Sequence, residues 1–132
     1  YEIHERLVGS EMCIRDRVNI GIELVADRQL LCLDEPDAGL DPGNKKKLYE
    51  TLRNLAHNEE KSILTIIHDV SEIDLFDQML VLNKVDNVGR LAFMGTPQEA
   101  RKYFETDEIK DVYDIMEKNP GKYIFKGDGT NE

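Results

Sequence analysis

The stretch Leu30–Pro42, LLCLDEPDAGLDP, constrains this chain more than any other. The run from Leu30 to Leu33 has no polar alternation and stops at two adjacent carboxylates, Asp34 and Glu35. Pro36 follows, and strand pairing should end there, because proline lacks an N–H and fixes φ. An unbroken apolar run suits a strand covered on both faces, as in a parallel sheet. In open α/β sheets the ligand crevice lies beyond the carboxyl ends of the strands. Asp34 and Glu35 are therefore expected at a substrate-facing edge. A single charge after a strand is ordinarily its solvated end, but that reading does not account for two carboxylates followed by PDAGLDP.

A second apolar run, Ser62 to Ile67, ends in His68 and Asp69. A lone histidine is usually structural. One that ends a core strand instead reaches the same crevice edge as Glu35. Between the two runs, Asp41 and Pro42 announce a helix, as N-cap and first helical residue. Leu48, Leu52, Leu55 and Ala56 give its buried stripe, while Lys45, Lys46, Lys47 and Arg53 read as a solvated face.

In these segments the chain resembles the ATP-binding-cassette (ABC) ATPases. LLCLDE matches their Walker B strand, PDAGLDP the D-loop after it, and ILTIIHDV the switch segment. RVNIGIELVAD and GRLAFMGTPQEARKYF resemble the G-type exporters. The resemblance implies an α/β fold: a partial P-loop NTPase (ABC ATPase) fold, a mostly parallel sheet flanked by helices, lacking the P-loop strand. It also implies ATP and Mg2+ as cofactors and an ATP-hydrolysing role in an ABC transporter of export type. Asp34 would help hold Mg2+, and Glu35 would polarise the attacking water as general base. A carboxylate of ordinary pKa is ionised at neutral pH and suits that role. His68 would reach the γ-phosphate and orient water and Glu35, and Asp41 would contact the second subunit across a dimer. The partners implied are a second ATP-binding domain and a transmembrane transporter domain, placing the chain at the cytoplasmic face of a membrane. Alternatives are a soluble ABC ATPase of translation or DNA repair, or a non-catalytic module that binds a partner through the helices after Thr96.

Other parts of the family pattern do not occur in these residues. No GxxxxGK[ST] motif is found among the 132 residues, so nothing here cradles phosphates, and the glutamine loop is absent too. Where the glycine-rich signature belongs, the chain has Glu11, Met12, Cys13 and Ile14. EMCIRDR, residues 11–17, resembles one reading frame of the mosaic-end adapter of transposase-made sequencing libraries. His4 and Cys13 therefore carry no functional weight. The expected organisation is an artefactual or unassigned N-terminus over 1–17, the C-terminal part of an ABC ATPase domain over 18–118, and a linker or tail over 119–132. The polypeptide alone is expected to be inactive.

Val18, Ile22, Val25 and Ala26 fall on one helical face before Leu30. Farther on, Met79–Leu82 and Leu91–Met94 read as strands joined by a turn at Asp86, Asn87 and Gly89. Asn83-Lys84-Val85-Asp86 mimics a guanine-reading motif, but no DxxG precedes it, so it reads as a turn. Ser71 with Asp74 suggests a short capped helix, and Thr96-Pro97-Gln98-Glu99 is a full helix-start signal with Ala100, Tyr103 and Phe104 on the apolar face. Ile109, Val112, Tyr113 and Met116 define one more helix, stopped by Asn119-Pro120-Gly121. A net charge of −10 argues against nucleic acid and against a polybasic membrane patch. The two cysteines make no disulfide framework, which fits a reducing compartment, and no apolar run approaches a membrane span of roughly 20 residues.

Overall fold

The computed structural model describes Gly21 and residues 29–125. The expectations for EMCIRDR, for most of the helix from Val18 and for the end of the tail lie outside the described residues. The chain divides into two compact units, residues 1–75 and residues 76–132.

In the first unit, β1 (Leu30–Asp34), α1 (Pro42–Asn58) and β2 (Ser62–Ile66) follow one another, and a 3-10 turn at Ile73–Leu75 closes the segment. β1 and β2 pair in parallel, with Leu30 opposite Ser62 and Asp34 opposite Ile66. Both strands therefore end at the same edge. α1 begins as expected: Asp41 is the N-cap, its side chain accepting from the Asn44 N–H, and Pro42 opens the first turn. The buried stripe is Leu48, Tyr49, Leu52 and Leu55. The expected cover on both strand faces is only half realised among the described residues. Leu31, Leu33 and Ile63 are partly buried, whereas Leu30, Leu64 and Ile66 on the other face are 59, 52 and 56% exposed. The expected short helix from Ser71 is realised only as the 3-10 turn at Ile73–Leu75, and the Ser71 N–H ahead of it donates to Asp69 Oδ1 at 2.9 Å. Such an Asx turn satisfies the backbone locally and competes with helix.

The second unit starts with the antiparallel hairpin β3 (Met79–Val85) and β4 (Val88–Gly95). Its pairing steps from Val81 opposite Phe93 to Leu82 opposite Leu91, a bulge that skips Ala92. Asp86 and Asn87 alone make the turn, with φ of 51° and 61°. A two-residue hairpin turn needs positive φ at both positions, which Asp and Asn tolerate best after glycine. Asn83, Lys84 and Val85 are strand residues, so only the last residue of NKVD lies in the turn. Among the described residues, the parallel pairing is confined to β1–β2.

α2 (Pro97–Tyr103) begins on the capping box expected at Thr96. The Glu99 N–H donates to Thr96 Oγ1 at 3.1 Å, and the Thr96 N–H to Glu99 Oε2 at 3.2 Å. Gly95 is what lets β4 run so close to this cap. A Cβ there would clash with Glu99 Oε2 and lie 2.8 Å from the Phe93 ring. Gly95→Ala should therefore cost about 1–3 kcal/mol by overpacking, read as a lower denaturation midpoint at unchanged m-value.

A 3-10 turn at Ile109–Asp111 leads into α3 (Val112–Lys118). Ile109, Val112 and Met116 are buried, but Tyr113, expected on the same face, is 62% exposed. In a 3-10 turn the residue three ahead eclipses the first, so Ile109 aligns with Val112, and Tyr113 rotates outward. Val81, Ala92, Phe93, Ala100, Phe104 and Tyr123 are further buried apolar residues of this unit. No helix among the described residues is long and apolar enough to cross a membrane.

Candidate functional site at the ends of two parallel strands

Because β1 and β2 end in register, the residues that follow them become neighbours. The Glu35 N–H donates to the Ile66 carbonyl at 2.9 Å, extending the ladder by one residue. The Glu35 carbonyl accepts from the Ala38 N–H at 3.1 Å and starts the turn Pro36–Gly39. Held from both sides, Glu35 has a φ of +46°, in the left-handed region that a side chain with a Cβ rarely adopts. Such strain costs on the order of 1–3 kcal/mol and persists only where the surroundings impose it. Its carboxylate Oε1 lies 2.7 Å from His68 Nε2. That contact is solvent-facing, with the His68 side chain 82% exposed and that of Glu35 43% exposed. Glu35 and His68 are thus a histidine–carboxylate pair facing outward at the strand ends.

Asp34 stands exposed at the end of β1, one residue before the pair. Asp41 is placed differently: its side chain caps α1, accepting from the Asn44 N–H at 3.2 Å. The structure therefore joins Glu35 to His68 and leaves Asp41 on its own helix. Asp34 is a hard oxygen donor, the type Mg2+ selects, and Mg2+ needs only one or two protein carboxylates besides substrate phosphates. That donor fits the ion.

A second cluster lies beneath these loops and was not among the expected site residues. Asp37, in the turn after Glu35, is only 5% exposed. Lys45 of α1 places Nζ 2.8 Å from Asp69 Oδ2 and 4.0 Å from Asp37 Oδ2. The Lys45 hydrogen bond, with help from the Ser71 N–H, lowers the Asp69 carboxyl pKa from 3.8 to about 2. The same bond raises Lys45 above its ordinary value, against a smaller opposing effect of burial. Burial, then the neighbouring Asp37 charge, pushes the Tyr49 phenol far above the ordinary tyrosine range. Lys45 was expected among outward-facing lysines. The signal that could have placed it is helical phase, since Lys45, Leu48 and Leu52 fall at i, i+3 and i+7. Arg53, expected outward as well, stays exposed but donates through Nη1 to the Leu75 carbonyl at 2.9 Å.

Comparison with known proteins gives ABC transporter relatives. ABC transporter G family member 25 of Arabidopsis thaliana is 39% identical over 113 residues, covering 84% of this chain and 16% of that protein. The energy-coupling factor transporter ATP-binding protein EcfA3 of Oenococcus oeni is 40% identical over 86 residues, covering 64% of this chain and 28% of that protein. EcfA1 of Listeria monocytogenes is 30% identical over 114 residues, covering 85% of this chain and 38% of that protein. The chain thus spans well under half the length of each of these relatives. No protein-family model matches it. Among solved structures, an SMC ATPase from a study of ATP-driven dimerization and DNA-stimulated activation matches with a TM-score of 0.58 at 19% identity. That match covers 76% of this chain and 62% of the other, and it supports an α/β fold.

Proposed function

Because this chain belongs to the ATP-binding domains of ABC transporters and resembles those of the G family, we propose that it supplies the Walker B, D-loop and switch-histidine part of an ATP-hydrolysing site that powers export. The observation that carries the reading is the 2.7 Å contact between Glu35 and His68, made outside the ends of two parallel strands. In this reading residues 18–118 are the C-terminal part of the ATP-binding domain and 119–132 a linker or tail. The sheet belongs to a larger, mostly parallel one whose P-loop strand lies outside these residues. The phosphate cradle also comes from elsewhere in the intact protein, since no GxxxxGK[ST] occurs here.

Phosphoryl transfer to water needs mainly positioning and neutralisation of charge on the phosphate oxygens. Mg2+, when bound, supplies that neutralisation, and Asp34 is the residue that would hold it. Glu35 takes the proton from the attacking water at its carboxylate. His68 holds Glu35 through Nε2 and would meet the terminal phosphate from the same edge. Asp41, at the start of α1, meets a second ATP-binding domain. A transmembrane transporter domain completes the assembly at the cytoplasmic face of a membrane.

The test is ATP turnover by the intact protein as a function of Mg2+. With Asp34→Asn the Mg2+ needed for half-maximal rate should rise by at least about tenfold, as loss of groups supporting a metal typically does. Turnover with an unchanged Mg2+ profile would show that Asp34 is not the ligand and that the site lies elsewhere.

A further inference from the structure

The geometry points to Lys45 as a positioning residue for this site: it clamps together the two loops that carry Glu35 and His68, through Asp37 on one side and Asp69 on the other. The inference rests on the nucleotide-hydrolysing reading above and adds a residue to it.

Glu35 and His68 gain little from packing, since both side chains are substantially exposed. Besides their own 2.7 Å contact, what holds them acts through the backbone on either side. Asp69 directly follows His68 and is fixed twice, by Lys45 Nζ at 2.8 Å on Oδ2 and by the Ser71 N–H at 2.9 Å on Oδ1. Asp37 lies two residues beyond Glu35 and is the buried acid of this unit among the described residues. A buried carboxylate is costly unless paired. Lys45 Nζ lies 4.0 Å from Asp37, and the Asp37 charge acts on the neighbouring Tyr49, one turn farther along α1. One ammonium on a helix therefore restrains both loops at once. Lys45 touches neither Glu35 nor His68, so its effect on the chemistry is indirect. Misplacing catalytic groups by about 1 Å can cost up to about 100-fold in rate.

The experiment uses the intact protein, with kcat, the KM for ATP and thermal stability measured together. Lys45→Met should lower kcat by about tenfold or more while the KM for ATP stays within about threefold, the pattern of a lost transition-state arrangement. Lys45→Arg should recover most of the rate, because a guanidinium also bridges two carboxylates. Lys46→Met, on the exposed neighbour, should change nothing. Asp69→Asn should reproduce the kcat loss, and the double variant should be no worse than the worse single one, as expected for partners in one interaction. If Lys45→Met does not fold, the exposed Asp69→Asn carries the test alone. The clamp is overturned if these variants lower the melting temperature but leave kcat per folded molecule unchanged. Glu35→Gln separates the two readings. A turnover that survives Glu35→Gln removes the hydrolytic site itself, whereas loss in Glu35→Gln with no loss in Lys45→Met removes only the clamp.

Discussion

Replacing Glu35 by Gln in the intact protein should lower ATP turnover by about 10²- to 10⁴-fold, the usual worth of a positioned general base. The change keeps the size and one oxygen of the side chain, so the contact made at 2.7 Å with His68 Nε2 retains an acceptor. It removes the negative charge that, in the proposed mechanism, accepts a proton from water. The KM for ATP should move little, because the proposed role of Glu35 is toward the attacking water and not the nucleotide. Stability should also stay within about 0.5 kcal/mol, as for a surface substitution. Gln meets the same steric cost as Glu at a φ of +46°. That strain gives a companion result. Glycine reaches positive φ freely, so Glu35→Gly should cost no stability, although Gly at an ordinary extended position loses about 0.5–1 kcal/mol. A protein that loses turnover without losing stability on both substitutions is one whose Glu35 serves chemistry rather than folding. Unchanged turnover in Glu35→Gln would reject the assignment of the base.

Local features were the legible part of this sequence. Asp41 and Thr96 were readable as helix starts because a cap is a bond between residues three apart, here Asp41 with Asn44 and Thr96 with Glu99. The strand cores at Leu30 and Ser62 were readable because apolar runs are contiguous. The two runs also placed Glu35 and His68 at strand ends. Neither run carries the register that puts Asp34 opposite Ile66 and so makes the following residues neighbours. Lys45 was misplaced for a related reason. Composition groups it with Lys46 and Lys47, but its partners, Asp37 and Asp69, come from two separate loops. The positive φ of Glu35 is imposed by hydrogen bonds to Ile66 and Ala38, and nothing in the letters EPDAG announces it. Tyr113 leaves the stripe because α-helical period does not hold across the 3-10 turn at Ile109–Asp111.

The core of the second unit offers the other large effect, and Tyr113 supplies its control. Phe104 is 1% exposed and sits among three aromatic rings, with centroids 5.9 Å from Phe93, 5.0 Å from Tyr103 and 4.9 Å from Tyr123. Truncating it to Ala deletes a buried ring packed against those of Phe93, Tyr103 and Tyr123. Such Phe→Ala changes cost about 3–5 kcal/mol, a large share of the roughly 5–15 kcal/mol that holds a domain folded. Phe104→Ala should therefore show a much lower thermal midpoint and faster amide exchange over Met79–Lys118. Tyr113→Ala should stay within about 0.5 kcal/mol, because its ring is mostly in water. The pair is informative because a stripe drawn by α-helical period alone puts Tyr113 beside Val112 and Met116 in the core. Comparable losses for the two substitutions would mean that the 3-10 turn at Ile109 does not set the phase of α3, and that Tyr113 packs inward after all.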